Sequence, residues 1–136
     1  MSTVYFGLGT NLGNKEDNIH IAITLIGERV GVVVRQSSLL VTEPWGFEST
    51  NQFVNAAICC ITTKTPREIL SITQTIEREM GRKQKSTDGQ YHDRVIDIDI
   101  LLYDNLVIDE PDLKIPHPLM YERDFVMTPL REILDK

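Results

Sequence analysis

The chain is short of positive charge. Fourteen Lys and Arg stand against twenty Asp and Glu, a net charge of −6. That argues against a nucleic-acid surface as its main function, because phosphate backbones are held by clustered cations. No run of eighteen apolar residues occurs, so no transmembrane helix is expected. Met1-Ser2-Thr3-Val4-Tyr5 carries neither a basic stretch nor a cleavage signature, so no signal peptide is expected and the compartment reads as cytoplasmic. Only two cysteines occur, Cys59 and Cys60, and they are adjacent. On a strand they would point to opposite faces, which suits neither an ordinary disulfide nor a metal site. They read as small core hydrophobes of a reducing compartment. A complete nucleotide-binding loop is missing too. In Gly7-Leu8-Gly9-Thr10-Asn11-Leu12-Gly13-Asn14-Lys15, leucine stands where the dinucleotide fingerprint needs its last glycine or alanine. Three residues rather than four separate Gly9 from Gly13, and Asn14 breaks the end of the phosphate-loop pattern. These glycines are expected to make a tight strand-to-helix turn, with Asn11 or Asn14 hydrogen-bonding its backbone. Repeats, linkers and low-complexity tracts are absent, and 136 residues that are 41% hydrophobic read as a single domain, 1–136.

What the chain does hold is an apolar stretch with two carboxylates inside it: Arg94-Val95-Ile96-Asp97-Ile98-Asp99-Ile100-Leu101-Leu102-Tyr103. Its isoleucines and flanking apolar residues predict a buried strand. Strand alternation puts Asp97 and Asp99 on one face, roughly 6.6 Å apart at ~3.3 Å per residue. There they repel by about 2.5 kcal/mol at an effective dielectric of ~20. Either the pair holds a divalent cation such as Mg²⁺, which takes one or two carboxylates plus substrate phosphates, or the strand has one wet face and both aspartates are solvated. Upstream, residues 82–93 are a polar stretch of twelve with no periodicity. From Arg82 to Arg94, four cations (Arg82, Lys83, Lys85, Arg94) outnumber Asp88 and Asp93. Metal-type carboxylates beside arginines suit a polyphosphate. A loop of this kind is expected to be open in the free protein and ordered over bound ligands, where it would exclude water.

Residues 3–8 alternate as a first strand. Residues 15–29 follow as a helix with Ile19, Ile23, Ile26 and Val30 on one face, ended by Gly31. Residues 32–41 and 53–63 read as further strands. Residues 66–80 read as a helix with Thr65 at the N-cap, Pro66 in the first turn and Glu68 completing a capping box. Gly81 is expected to stop it. Asp104-Asn105 reads as a hairpin turn into a strand Leu106-Val107-Ile108, then Asp109-Glu110-Pro111-Asp112 as loop. Thr128-Pro129 reads as the start of a last helix ending at Leu134. The order βαββαβ, with a C-terminal hairpin strand and short helices, is that of an α+β ferredoxin-like fold: a mainly antiparallel sheet with helices packed on one side. Trp45 and Phe47, in a Pro- and Gly-containing loop, either pack on the core or wall a flat ligand. Asn55 is either a satisfied structural amide or a reader of a ring edge. His117, held between Pro116 and Pro118, reads as a positioned histidine.

Several motifs in order carry a resemblance. They are Gly9-Thr10-Asn11-Leu12-Gly13, Thr42-Glu43-Pro44-Trp45-Gly46, Phe53-Val54-Asn55-Ala56-Ala57, Glu77 with Gly81-Arg82, Arg94-Val95-Ile96-Asp97-Ile98-Asp99, Pro116-His117-Pro118 and Arg123-Asp124-Phe125. Over its whole length the chain resembles the 6-hydroxymethyl-7,8-dihydropterin pyrophosphokinases, ATP-dependent enzymes of folate synthesis. The resemblance implies a ferredoxin-like fold and transfer of pyrophosphate from ATP to the pterin hydroxymethyl group, with AMP leaving. It implies that Asp97 and Asp99 hold two Mg²⁺ ions and that Arg82 and Arg94 stabilise charge on the transferring group. His117, Arg123 and Glu77 would attend the nucleotide. Phe53 and Phe125 would sandwich the pterin, with Thr42, Glu43, Trp45 and Asn55 at its edge. The expected partners are these two small molecules, with no nucleic acid and no membrane, and the expected state is a monomer. Two positions depart from the pattern. Tyr91-His92-Asp93-Arg94 stands where many relatives carry Trp-Gly-Pro-Arg, and Pro118 stands where some carry tyrosine.

Two other classes compete. A ligand-sensing ferredoxin-like module would not need Asp97, Asp99, Arg82, Arg94 and His117 together. An acid–base pterin enzyme would want a poised lysine or other base in its pocket rather than a carboxylate pair.

Overall fold

Residues 1–42, 52–81 and 95–134 are described by the structure, a computed structural model. Strand alternation sets its layers. Along β1 (Ser2–Thr10), Val4, Phe6 and Leu8 are buried on one face. Along β4 (Phe53–Thr62), Val54, Ala56, Ile58 and Cys60 do the same. These side chains meet Ile19, Ala22 and Ile26 of α1 (Lys15–Arg29) and Ile69 and Ile76 of α2 (Pro66–Gly81) in one core. The helix ends follow their local chemistry. Asn14 caps α1 by accepting the Asp17 N–H at 3.1 Å, after Gly13 turns the chain at φ 67°. At the start of α2, Thr65 N–H donates to Glu68 Oε1 at 2.8 Å and Glu68 N–H to Thr65 Oγ1 at 3.2 Å, the reciprocal capping box.

The remaining strands are β2 (Gly31–Gln36), β3 (Leu40–Thr42) and β5 (Asp97–Tyr103). The main sheet runs β2-β4-β1-β5 with every neighbouring pair antiparallel, and β3 extends the β2 side of β4. β1 and α1 thus lead to a strand two places away, with β4 between them, which is the split βαβ arrangement of the ferredoxin-like fold.

Five local expectations need correction. Gly7 and Gly9 are strand residues of β1, not turn residues; only Gly13 lies in the turn. Residues 32–41 are two strands rather than one. Ser37 N–H donates to Ala57 O, and Ser38 is gripped through its N–H and hydroxyl by Glu132, at 2.7 and 2.8 Å, so the chain leaves the ladder there. Ile108 does not pair back on β5. It opens β6 (Ile108–Glu110), which pairs with β7 (Leu113–Ile115) across Pro111-Asp112. The reason is Asp104, whose backbone N–H donates to Thr3 O and whose side chain accepts Thr3 N–H, both at 2.8 Å, tying that turn to β1. The last helix, α3 (Asp124–Leu134), starts four residues earlier than Thr128 and carries Pro129 inside it. Burial of Met127, Leu130 and Ile133 outweighs the missing donor. Finally, helices lie on both sides. α1 and α2 share one face, and α3 covers Ala57, Cys59 and Leu101 on the other in a second core.

Candidate functional site

The odd-numbered positions of the central strands face the α3 side, and there the site residues gather. Asp97 and Asp99 sit on that face of β5, each half-buried. Their β1 partners in the ladder are Gly9 and Gly7. On the other side of β1, Gly9 is paired with Asn55 and Gly7 with Ala57. So Asn55, Gly9 and Asp97 form one row across three strands, with a bare backbone in the middle. At about 4.8 Å per strand, the row places the Cα atoms of Asn55 and Asp97 roughly 10 Å apart, with no side chain on Gly9 between them.

Asn55 is buried, 4% exposed, and its Nδ2 donates to Thr42 Oγ1 at 3.0 Å. The amide is therefore held in one orientation. Phe53, two residues earlier on β4 and pointing to the same face, is partly buried. Phe125 lies in the first turn of α3, and the Arg123 guanidinium stands 5.7 Å from its ring centroid. Arg123 also starts α3, its carbonyl accepting the N–H groups of Val126 and Met127. Aromatic, arginine and helix start thus arrive together.

His117 is fixed by its neighbours. Its N–H donates to Leu101 O at 3.1 Å, and its Nδ1 accepts the Leu119 N–H at 3.4 Å. With Nδ1 an acceptor, the ring proton lies on Nε2, and Nε2 stands 3.9 Å from Asp99 Oδ1. Burial, reinforced by the Arg123 charge and opposed by Asp97, holds the imidazole below its ordinary pKa. The ring is neutral near pH 7 and offers an Nε2–H donor beside the aspartates.

Glu77, near the end of α2, reaches β5. Its Oε2 accepts the backbone N–H of Ile98 at 2.7 Å, so one carboxylate oxygen is engaged with β5 between the two aspartates. Glu43, Trp45, Arg82 and Arg94 lie outside the described residues, as do Phe47 and the 82–93 stretch. The structure therefore brings Thr42, Phe53, Asn55, Asp97, Asp99, His117, Arg123 and Phe125 to one face of the sheet. Sequence reasoning missed the two glycines: Gly9 is the bare position between Asn55 and Asp97, and Gly7 makes room for the Leu101 side chain, 3.4 Å from its Cβ position. Their spacing of two within an otherwise apolar alternating strand was the available signal.

Two carboxylates are the number that Mg²⁺ takes from a protein when phosphates complete its shell, so the donor chemistry fits that ion. Among the described residues, no group of three or more His, Cys, Asp or Glu forms a metal cluster.

The sequence profile of 7,8-dihydro-6-hydroxymethylpterin-pyrophosphokinase (HPPK) matches residues 5–135. The chain belongs to the HPPK family. An HPPK relative, the 2-amino-4-hydroxy-6-hydroxymethyldihydropteridine pyrophosphokinase of Porphyromonas gingivalis, is 47% identical over 134 residues, 98% of this chain and 91% of its own. The Bacillus subtilis enzyme of that name is 41% identical over 130 residues, 95% of this chain and 76% of its own. In fold, the chain is similar to the Plasmodium falciparum HPPK-DHPS triple mutant, with a TM-score of 0.77 at 15% identity. It spans 98% of this chain but 40% of that longer one. An HPPK is an enzyme, a diphosphotransferase of folate synthesis with ATP as its co-substrate.

Proposed function

We propose that this chain transfers the terminal pyrophosphoryl group of ATP to the hydroxymethyl oxygen of 6-hydroxymethyl-7,8-dihydropterin and releases AMP. One observation carries the proposal: Asn55 and Asp97 stand in one row across three strands with Gly9 between them, and Asp99 lies on the same face of β5. A flat ring reader and a polyphosphate anchor are thereby set on one face at a separation that one bound substrate pair bridges.

Phe53 and Phe125 stack on the pterin faces, and Asn55 and Thr42 read its edge, joined by Glu43 and Trp45. A fixed amide discriminates well because a mismatched ring edge would leave buried polar groups unpaired. The pterin oxygen then forms a bond to the β-phosphorus, the bond from that phosphorus to the α,β-bridging oxygen breaks, and AMP carries that oxygen away. The hydroxyl proton passes to solvent water as the new bond forms. His117 donates Nε2–H to a phosphate oxygen, and Arg123, Arg82 and Arg94 offset phosphate charge, the last two on the transferring group. Two Mg²⁺ ions held by Asp97 and Asp99 would supply positive charge between the phosphates. Glu77 stands beside the nucleotide end. The proposal is for a monomer acting in the cytoplasm, and the net charge of −6 favours solubility. No described helix is long and apolar enough to cross a membrane.

The test is removal of one ligand. Asp97→Ala and Asp99→Ala each lower turnover in saturating Mg²⁺ by at least about a thousandfold, roughly 4 kcal/mol of transition-state stabilisation. Their circular dichroism and urea midpoints stay near those of the parent. Near-native turnover in either variant would refute the assignment of the metal to this pair.

A further inference from the structure

β5 is the last strand on its side of the sheet. It pairs with β1 along one edge, and no strand covers its other edge among the described residues. Edge strands are the least constrained part of a sheet, because half their backbone groups have no ladder partner. Yet this edge strand carries both aspartates, and catalytic or metal-binding groups must be held to within about half an ångström of their working geometry.

The ladder alone fixes only part of that geometry. Backbone groups alternate sides along a strand, so the amides of Asp97 and Asp99 point toward β1 while that of Ile98 points outward. The outward amide is the one that Glu77 Oε2 accepts, at 2.7 Å from a helix twenty-one residues upstream. Ile98 itself is buried beneath, in the core shared with α1 and α2. The segment Asp97–Asp99 is thereby held from three directions: by β1 through the aspartate backbones, by the core through Ile98, and by Glu77. Just before it, Gly81 at the end of α2 lies against Val95, with a Cβ position 3.4 Å from the valine side chain.

We infer that Glu77 is a positioning residue: its carboxylate stands in for a missing neighbouring strand and locks the Asp97–Ile98–Asp99 backbone so that both carboxylates face the same metal-binding side of the sheet. This rests on the metal assignment above, and it gives Glu77 a task other than contact with the nucleotide. The inference specifies what the residue must provide, namely an oxygen acceptor aimed at one amide. Negative charge at that point is secondary.

The experiment compares Glu77→Ala and Glu77→Gln with the parent and with Asp97→Ala. Two readouts are used. The first is hydrogen exchange of the Ile98 amide in the free protein. The second is Mn²⁺ affinity by electron paramagnetic resonance in the presence of α,β-methylene ATP, whose bridge blocks transfer. Amides of the β1–β4 ladder report whether each variant is folded. In Glu77→Ala the Ile98 amide exchanges at least about tenfold faster while the β1–β4 amides keep their protection. Mn²⁺ affinity falls about tenfold, the lower end of what losing a partner that orients a metal ligand costs. Glu77→Gln, which keeps an acceptor oxygen, restores both to within about threefold. Failure of Glu77→Gln to restore Mn²⁺ affinity would overturn the inference, since charge and not the hydrogen bond would then be the active property. Unchanged Mn²⁺ affinity in Glu77→Ala, with Asp97→Ala still impaired, would overturn it while leaving the metal assignment intact. Unchanged affinity in Asp97→Ala as well would overturn both.

Discussion

Gly9 illustrates how much a single absent side chain contributes. A Cβ built there would stand 3.1 Å from Asn55 Oδ1, inside ordinary contact distance, so the amide would have to move by a few tenths of an ångström. That amide is held by Thr42, and in the proposed function its alignment reads the ring edge. Gly9→Ala should therefore keep its fold and its nucleotide affinity but lose dihydropterin affinity by roughly 1 kcal/mol, the worth of one hydrogen bond. Isothermal titration with each ligand separates these outcomes, and an unchanged pterin affinity would remove the pterin from the Asn55 end. A second residue-scale consequence concerns Cys60. Burial, with Cys59 beside it, pushes this thiol from an ordinary 9.0 up to about 12. The unfolded thiol ionises near its ordinary value while the folded one does not. Stability is therefore complete below about pH 9 and falls as pH rises toward 12, by at most about 1.4 kcal/mol per unit. Urea midpoints between pH 8 and 11 should fall more steeply in the parent than in Cys60→Ala. Equal slopes would place the thiol in a wetter environment than its 0% exposure implies.

At the scale of elements, the sequence was most legible where periodicity and end chemistry agreed. α1 has the bounds 15–29 that its isoleucine stripe implied, and α2 opens with the expected Thr65/Glu68 box. Thr65→Ala should lower stability by about 1 kcal/mol, seen as a lower urea midpoint with an unchanged slope. Because the box lies at the far end of α2 from Glu77, pterin affinity should not change; a change would mean that the helix transmits strain to the site. What could not be read were elements decided by partners far along the chain. The break after Gln36 depends on Glu132, and the turn at Asp104 depends on Thr3, about a hundred residues away in each case. The early start of α3 follows from Met127, Leu130 and Ile133 finding a sheet face already built. None of these has a local signature, so the strand at 32–41, the hairpin at 106–108 and the helix start at 128 were misplaced.

At the scale of the whole molecule, the order βαββαβ gave the antiparallel sheet and the split crossover, since few arrangements bury two amphipathic helices on four such strands. The face that does the chemistry was less legible. Asp97 and Asp99 were visible as a pair from strand alternation, and Asn55 as an odd amide among apolar neighbours. Their meeting across Gly9 depends on the pairing of β4 and β5 on either side of β1, which no local pattern contains. In the proposed reaction two phosphates move together rather than one. The nucleotide must present its β-phosphorus, with the γ-phosphate carried along. The measurement that tests this most directly is product analysis after incubation of the protein with MgATP and 6-hydroxymethyl-7,8-dihydropterin, by anion-exchange chromatography and phosphorus NMR. AMP should appear in equal amount with a pterin bearing two phosphates, and neither should form without the pterin. ADP with a singly phosphorylated pterin would contradict the account.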